Sequence, residues 1–164
     1  MPSFTTRKTV AYTPRQMFDL VADVERYPEF VPLCECLRLV SRTPEGAATT
    51  VVAAMTVGHR MIRETFTSRV TLRPDDNCID VSYVNGPFRH MHNRWMFKPA
   101  DAGGTEVEFH IDYEFKSLML GLLMGALFDT AFRKFVAAFE VRAQNVYRQP
   151  GRLRPGLEPP AARA

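Results

Sequence analysis

Three histidines and two carboxylates come closest, by residue type and spacing, to a metal site in this sequence. His90 and His92 are two residues apart, and His110 lies between Glu108 and Asp112. Imidazole and carboxylate groups together can bind a divalent metal ion. The alternation of both segments, however, places all five side chains on the outer side of predicted strands. A charged, solvated strand face explains them, so we predict no metal site and no catalytic residue here.

The cysteines also lack the pattern of a site. Cys34, Cys36 and Cys78 are an odd number, which argues against a disulfide framework, and their spacing is not that of a zinc site. The sequence has no glycine-rich phosphate loop, no nucleophile-elbow serine and no paired catalytic carboxylates. We therefore predict structural cysteines, no cofactor and a protein that is not an enzyme.

Three polar side chains alternate in register with apolar ones and are predicted to face inward: Glu64, Ser68 and Asn93. A carboxylate among apolar residues costs several kcal/mol unless it is paired or solvated. The three together indicate a wet or ligand-filled cavity, and we predict that Glu64 and Asn93 contact a ligand head group or cavity water. The alternative is that they lie at strand ends near water, or satisfy one another.

Most of the chain has the two-residue period of β-strands. A strand from Phe4 to Tyr12 precedes a short helix, for which Thr13 is a capping residue and Pro14 suits the first position. Residues 27–32 hold two prolines and predict a loop or a very short helix. Six further strands, joined by short turn-forming segments, predict an antiparallel meander over residues 35–43, 48–58, 60–72, 78–85, 88–98 and 104–115.

The pairing of two of these strands follows if Gly58-His59 is a two-residue hairpin loop. Val57 would then lie opposite Arg60, and Met55 opposite Ile62. Opposed residues share a face of the sheet, which gives one inward-facing set on this hairpin: Met55, Ile62, Phe66 and Val70.

The chain from Ser117 to Tyr147 predicts one long helix. Phe128, Phe132, Phe135 and Phe139 follow at steps of four, three and four, which places the rings on one face. At 1.5 Å per residue the helix would be roughly 46 Å long. That length exceeds a small sheet, so we expect a bend or break near Gly121 or Gly125.

The beginning of this helix carries no charge. The uncharged run, Leu118 to Phe128, is shorter than the roughly 20 residues that span a bilayer. We predict that it is a gate and a peripheral membrane contact. The alternative is a helical turn in the core or against a partner subunit.

Charge divides the chain into two parts. Of the 21 basic and 18 acidic side chains, four arginines and one glutamate lie in residues 148–164, which leaves 17 of each sign in residues 1–147. A neutral body argues against DNA binding. We predict one domain over residues 1–147 and a disordered, Pro- and Arg-rich tail over 148–164.

The N-terminus lacks the apolar core of a secretory signal, so we expect a cytoplasmic protein, with peripheral contact at the inner face of the membrane.

Several segments, taken in order, resemble one family. They are Tyr27-Pro28-Glu29-Phe30-Val31-Pro32-Leu33-Cys34, Phe66-Thr67-Ser68-Arg69-Val70, Gly86-Pro87-Phe88, Asn93-Arg94-Trp95-Met96-Phe97, residues 107–118 and residues 138–143. The chain resembles the coenzyme Q-binding proteins and ribosome association toxins of the START-like (polyketide cyclase/dehydrase and lipid transport) superfamily. The resemblance implies an α+β helix-grip fold, in which a curved antiparallel sheet of about seven strands wraps around the C-terminal helix.

The resemblance also implies a tunnel between sheet and helix that binds ubiquinone or a related polyisoprenoid lipid and supports respiration. We predict that the chain is a carrier or chaperone of this kind. The alternatives are a toxin that binds the ribosome and blocks subunit association, and a polyketide cyclase that uses Glu64 as acid or base. The predicted ligand-binding residues are Met55, Ile62, Glu64, Phe66, Ser68, Tyr83, Met91, Asn93, Trp95, Phe109, Ile111, Tyr113, Leu123, Leu127, Phe128 and Phe132.

Overall fold

The computed structural model describes residues 3–147, which form one curved antiparallel sheet and two α-helices. The helices are α1 and α2, and a 3₁₀ helix follows α1. The bounds are β1 Ser3–Val10, α1 Pro14–Ala22, 3₁₀ Val24–Glu29, β2 Cys34–Glu45, β3 Ala48–His59, β4 Ile62–Arg73, β5 Cys78–Asn85, β6 Phe88–Pro99, β7 Thr105–Phe115 and α2 Leu118–Tyr147. The predicted disordered tail, residues 148–164, lies outside the described residues.

The strand order is β1-β7-β6-β5-β4-β3-β2, with every pair antiparallel. Strands β2 to β7 form the predicted meander, and β1 joins the far edge beside β7. The inner faces of β6 and β7 are those that the alternation predicts, because Met91, Trp95, Phe109 and Ile111 are all buried. Hydrophobic alternation thus identified the face that carries the core.

Helix α1 begins where the sequence predicts. The Thr13 hydroxyl accepts a hydrogen bond from the Gln16 amide at 3.1 Å, and the Gln16 side chain accepts from the Thr13 amide at 2.9 Å. This capping box satisfies two amide groups that have no partner within the helix.

The β3–β4 hairpin turns two residues later than predicted. Arg60 and Met61 form the turn, so that His59 pairs with Ile62 and Met55 with Phe66. Gly58 stays in the strand, where its lack of a Cβ leaves room for the Glu35 carboxylate: a Cβ there would lie 2.3 Å from Oε2 of Glu35. The predicted pairing is therefore wrong. The predicted face is right, because the shift is an even number of residues.

Helix α2 runs without interruption from Leu118 to Tyr147. Of the bend or break predicted near Gly121 or Gly125, a break does not occur. Each glycine costs about 1 kcal/mol relative to alanine, and both retain helical backbone. The Ser117 hydroxyl accepts from the Leu120 amide at 3.0 Å, which caps the first turn.

Polar and aromatic contacts hold α2 across the concave side of the sheet. Lys8 of β1 pairs with Glu140 at 2.7 Å, and Arg142 pairs with Glu29 of the 3₁₀ helix at 2.8 Å. Between these ion pairs, the ring of Phe139 packs 5.1 Å from Trp95. The helix is therefore fixed at its C-terminal half, over β1, β6 and the 3₁₀ segment.

Candidate functional site

A cavity of about 100 Å³ lies between the sheet and α2. The predicted tunnel is thus an internal space in this structure rather than a solidly packed layer. One water needs roughly 10–15 Å³ of such volume, so the cavity can hold several waters or part of an organic ligand.

The sheet provides the largest wall, and much of it was predicted. Seven predicted residues on strands line the cavity: Met55, Phe66, Ser68, Met91, Asn93, Trp95 and Ile111. Seven other strand residues of this wall were not among the predicted ligand-binding residues: Leu37, Ala53, Val57, Val70, Ile79, Val81 and Phe88. Apart from Phe88, these have small or aliphatic side chains, and their inward alternation is the signal that could have found them.

Helix α2 provides the opposite wall through its phenylalanine stripe. Phe128 and Phe132, both predicted, line the cavity together with Ala131, Phe135 and Phe139. Phe128 and Phe132 make an edge contact with ring centroids 5.7 Å apart. The four rings share a face because their spacing follows the helical period.

A third wall was not predicted. Val24, Tyr27, Pro32 and Leu33, in or after the 3₁₀ helix, line the cavity between α1 and β2. Leu33 has a positive φ of 69°, and its carbonyl accepts from the Gly58 amide at 3.0 Å. The signal that could have revealed this wall was the apolar and aromatic residues in the proline-containing connection between α1 and β2. A solvated loop does not need such residues, so they indicate a buried segment.

Two predicted residues of β4 lie outside the cavity. Ile62 and Glu64 precede Thr67, where pairing with β5 begins. Both lie closer to the β3–β4 turn than Phe66, which is the first residue of β4 to line the cavity. Glu64 is half-buried opposite Val57, and no ion pair to it occurs within residues 3–147.

Three predicted aromatic residues are packed behind the cavity wall. Phe109 packs against Trp95 in a tilted arrangement with ring centroids 4.7 Å apart, and Tyr113 packs on Phe132 at 5.3 Å. The Tyr83 hydroxyl accepts a hydrogen bond from the Phe88 amide at 3.0 Å, and Phe88 rather than Tyr83 borders the cavity. These residues support the lining side chains but do not border the space.

Two predicted helix residues point away. Leu123 is 58% exposed and Leu127 is half-buried, and neither lines the cavity. Each residue turns the helix by about 100°. The inward face therefore passes through Met124 and Phe128 instead.

Two buried polar side chains, Asn93 and Ser68, interrupt the apolar lining. Asn93 Nδ2 donates to the His110 carbonyl at 2.8 Å, which fixes the orientation of the amide because a carbonyl can only accept. The amide has a second N–H, and Ser68 has a hydroxyl that can donate. The cavity thus offers two hydrogen-bond donors in an otherwise apolar wall.

The Tyr27 hydroxyl is a less available polar group of the lining. It donates to the Val21 carbonyl at 2.5 Å. Burial raises the pKa of Tyr27 above its usual range, so the hydroxyl stays protonated. Because the hydroxyl proton forms the hydrogen bond that links the 3₁₀ segment to α1, it is not free to be donated to a ligand.

The histidines predicted on the outer face do lie there, in contact with carboxylates. Asp112 contacts both His90 and His110, the latter at 3.1 Å, and His110 Nδ1 lies 2.6 Å from the Thr5 hydroxyl. Burial alone would raise the pKa of Asp112, but hydrogen bonds from the two histidines outweigh it and lower the pKa. Within residues 3–147, no three or more His, Cys, Asp or Glu side chains are grouped to hold a metal ion.

A second carboxylate on the outer face binds arginines. Asp80 accepts from Arg94 at 2.8 Å and also contacts Arg73. Burial alone would raise the pKa of Asp80, but the two guanidinium groups outweigh it and hold the pKa below its usual range. These ion pairs cross β4, β5 and β6 on the convex side and leave the cavity side to apolar residues.

The cysteines have the environment of structural residues. The three thiols are free, with Cys34 and Cys78 buried and Cys36 exposed. Burial raises the pKa of the Cys34 thiol to about 11. A thiol with that pKa is protonated near neutral pH and is a poor nucleophile.

The described lining residues suit binding better than acid–base chemistry. They include no Asp, Glu, His, Lys or Cys side chain. Binding of an apolar molecule needs only the apolar wall and a few orienting donors, which are present.

Neither helix described in residues 3–147 is long and apolar enough to cross a bilayer.

Relatives of this chain fall into two named groups. It is 37% identical to the persistence and stress-resistance toxin PasT of Escherichia coli O6:H1, over 90% of each chain. It is 34% identical to the ribosome association toxin RatA of Rickettsia prowazekii, over 89% of this chain and 99% of that one. It is 29% identical to the coenzyme Q-binding protein COQ10 homolog B of Xenopus laevis, over 88% of this chain and 59% of that one.

Solved structures show the same fold. The solution structure of the 18 kDa protein CC1736 from Caulobacter crescentus is 40% identical, covers 91% of this chain and all of its own, and superposes with a TM-score of 0.75. The Zhui aromatase/cyclase from Streptomyces sp. R1128 is 19% identical over 88% and 94% of the two chains, with a TM-score of 0.73. That second likeness shows the helix-grip fold alone.

The family model for polyketide cyclase/dehydrase and lipid transport proteins matches residues 10–140. This range includes every residue that lines the cavity. The chain therefore belongs to this START-like family, among the relatives of the ribosome association toxins and coenzyme Q-binding proteins.

Proposed function

We propose that this protein binds a hydrophobic lipid with a ring head group, of the ubiquinone class, and carries it in the cavity between sheet and α2. The observation that carries the proposal is the void itself. Side chains of the sheet, α2 and the 3₁₀ segment line about 100 Å³ of mainly apolar space. Interiors are normally packed without voids larger than a water molecule, so a space of this size indicates a binding site.

The volume defines which part of such a lipid the cavity accepts. An engineered cavity of about 150 Å³ takes up benzene. The cavity of about 100 Å³ therefore matches a single ring, once its walls give slightly. A polyisoprenoid tail has to extend outside the enclosed space or displace α2.

The two donors of the lining match the head group of a quinone. The oxygens of a quinone ring are acceptors, and Ser68 and the second N–H of Asn93 are donors. A buried donor that gains an acceptor stabilises the complex, and a ligand without acceptors leaves it unpaired. The coenzyme Q-binding name of the Xenopus relative agrees with this choice of ligand.

A short-chain ubiquinone analogue is expected to quench most of the Trp95 fluorescence in a saturable titration. Trp95 lines the cavity, is 3% exposed, and is the single tryptophan of the chain. A quinone ring in contact with it accepts energy or electrons from the excited indole. Iodide is the control for collisional quenching, because a buried indole is shielded from an ion in bulk water.

The variant Asn93→Leu tests the head-group contact in the same assay. It removes the donor and keeps the wall apolar. We expect it to lose much of the preference for the quinone over an apolar ring without carbonyls.

Unchanged Trp95 emission of the wild-type protein at saturating quinone, with binding shown by calorimetry, would place the ligand outside the cavity.

Ribosome association is the second candidate function. The observation in its favour is the 34% identity, over nearly the whole of both chains, to a relative named as a ribosome association toxin. If it holds, added protein should shift ribosomes toward free subunits in sucrose gradients, with an effect that falls as salt rises. An unchanged subunit profile at low salt would remove this candidate and leave the lipid proposal standing.

A further inference from the structure

The solvent-facing side of the first turns of α2 is entirely apolar. Leu118, Met119, Leu122 and Leu123 are 83%, 69%, 78% and 58% exposed. We call these four side chains the α2 patch. Adjacent large side chains of this kind are rarely left in water on a monomeric protein unless they bind something.

The patch is confined to the end of the helix. Residues seven positions further along, on the same face, are polar: Asp129 follows Leu122, and Thr130 follows Leu123. Asp129 then pairs with Arg133 at 3.0 Å. From Leu118 to Leu123 the apolar face is roughly 8 Å long along the helix axis, which suits a helix end that lies in a lipid interface but does not cross it.

The uncompensated charges on either side of the patch are positive. Lys116 lies two residues before the patch, and Lys134 lies about 16 Å further along α2 on the same face. Within residues 3–147 neither lysine has an ion-pair partner. The neighbouring carboxylates are occupied, because Glu114 pairs with Arg89 at 3.6 Å and Asp129 pairs within α2. An apolar surface flanked by free ammonium groups is complementary to acyl chains beneath anionic head groups.

The opposite face of the same turns borders the cavity. Met124 is buried, and Phe128 lines the cavity. The backbone joins this end of α2 to the sheet edge, where the Lys116 amide donates to the Pro87 carbonyl at 2.8 Å. One helical segment therefore forms both the exposed patch and part of the cavity wall.

We propose that the α2 patch docks this protein on an anionic lipid bilayer. The four apolar side chains enter the acyl-chain boundary, and Lys116 and Lys134 lie against head-group phosphates. A second copy of the chain fits less well, because a two-fold contact between identical patches brings the same lysines toward each other. Docking would let a lipid pass between bilayer and cavity without crossing water, a consequence that rests on the proposed function.

The test is co-sedimentation with quinone-free vesicles of phosphatidylcholine that contain about one-third phosphatidylglycerol, compared with phosphatidylcholine alone. Wild type is expected to bind the anionic vesicles more tightly. The double variant Met119→Asp plus Leu122→Asp is expected to bind them at least about tenfold less, because it places two charges in the apolar contact. Lys116→Gln plus Lys134→Gln should weaken binding by roughly fivefold per lysine.

The matched control is Val141→Asp plus Gln144→Asp, two positions with the same spacing as Met119 and Leu122 that lie about two turns or more from Lys134. It adds the same charge to exposed positions of the same helix, outside the patch. This variant is expected to retain most of the binding of wild type. Thermal unfolding of each variant confirms that the helix is intact.

Three outcomes would overturn the proposal. They are an absence of wild-type binding to the anionic vesicles, equal loss in the patch and control variants, and a wild-type dimer that Met119→Asp plus Leu122→Asp converts to monomer. The Trp95 titration uses a soluble quinone and no vesicles. Failure of docking is thereby distinguished from failure of the cavity to bind its ligand.

Discussion

Replacing Ala131 by phenylalanine is expected to lower quinone affinity by at least about 100-fold, equivalent to roughly 2.7 kcal/mol. Ala131 lies on the cavity wall of α2 and is 6% exposed. A phenyl ring there occupies the space that a ligand ring would take. Enlarging a side chain in a packed core usually costs 1–3 kcal/mol, but a pre-existing void accepts the added atoms, so we expect a smaller change in the free energy of unfolding.

Ala137→Phe is the matched control for this variant. It adds the same ring to the same helix at an exposed position, where it cannot reach the cavity. Trp95 titration and urea unfolding of both variants separate occlusion from general damage to α2. Wild-type quinone affinity in Ala131→Phe would show that the ligand does not enter the cavity.

Replacing Gly104 by alanine is expected to destabilise the fold by about 3 kcal/mol or more, which lowers Tm by roughly 10 °C. Gly104 has a φ of +80°, and a Cβ there would lie 2.1 Å from the Val10 carbonyl oxygen. Val10 pairs with Thr105, whose hydroxyl donates to the Tyr12 carbonyl at 2.6 Å. The added methyl group therefore forces the end of β1 away from β7.

Gly103→Ala separates the two causes of this loss. Gly103 has a φ of +98°, but a Cβ there meets nothing within 4 Å. Only the strain of a left-handed backbone remains, about 1–2 kcal/mol. Urea unfolding should therefore show a clearly smaller loss for Gly103→Ala. Equal losses would mean that the contact with Val10 relaxes without cost.

The two-residue alternation of apolar and polar residues was enough to predict which side chains of a strand point toward the core. Inward-facing Trp95 and Phe109 follow from alternation alone, because successive side chains on a strand point to opposite sides. The phenylalanine stripe of α2 follows in the same way from helical spacing, and all four of its rings line the cavity. The capping box at Thr13 was equally evident, since it depends on residues close together in the chain.

Predictions that depended on distant residues failed. Gly58 looked like a turn residue, but it lies in β3, where its lack of a Cβ leaves room for the Glu35 carboxylate, and Arg60 and Met61 form the turn. Ile62 and Glu64 lie in the part of β4 that extends past β5, and of that part only Phe66 borders the cavity. No local pattern encodes such a stagger, because strand pairs within a meander can slide by two residues without changing which face is buried.

The fold class, the inner face of the sheet and the apolar character of the space beneath α2 all follow from the amino-acid sequence. Each of these depends on local periods and on the types of residue that recur. The folded structure was needed to show that the 3₁₀ segment with Tyr27 and Leu33 forms the third side of the cavity, and that Phe88 rather than Tyr83 borders it. Whether a side chain lines a void or packs behind another depends on contacts between elements far apart in sequence.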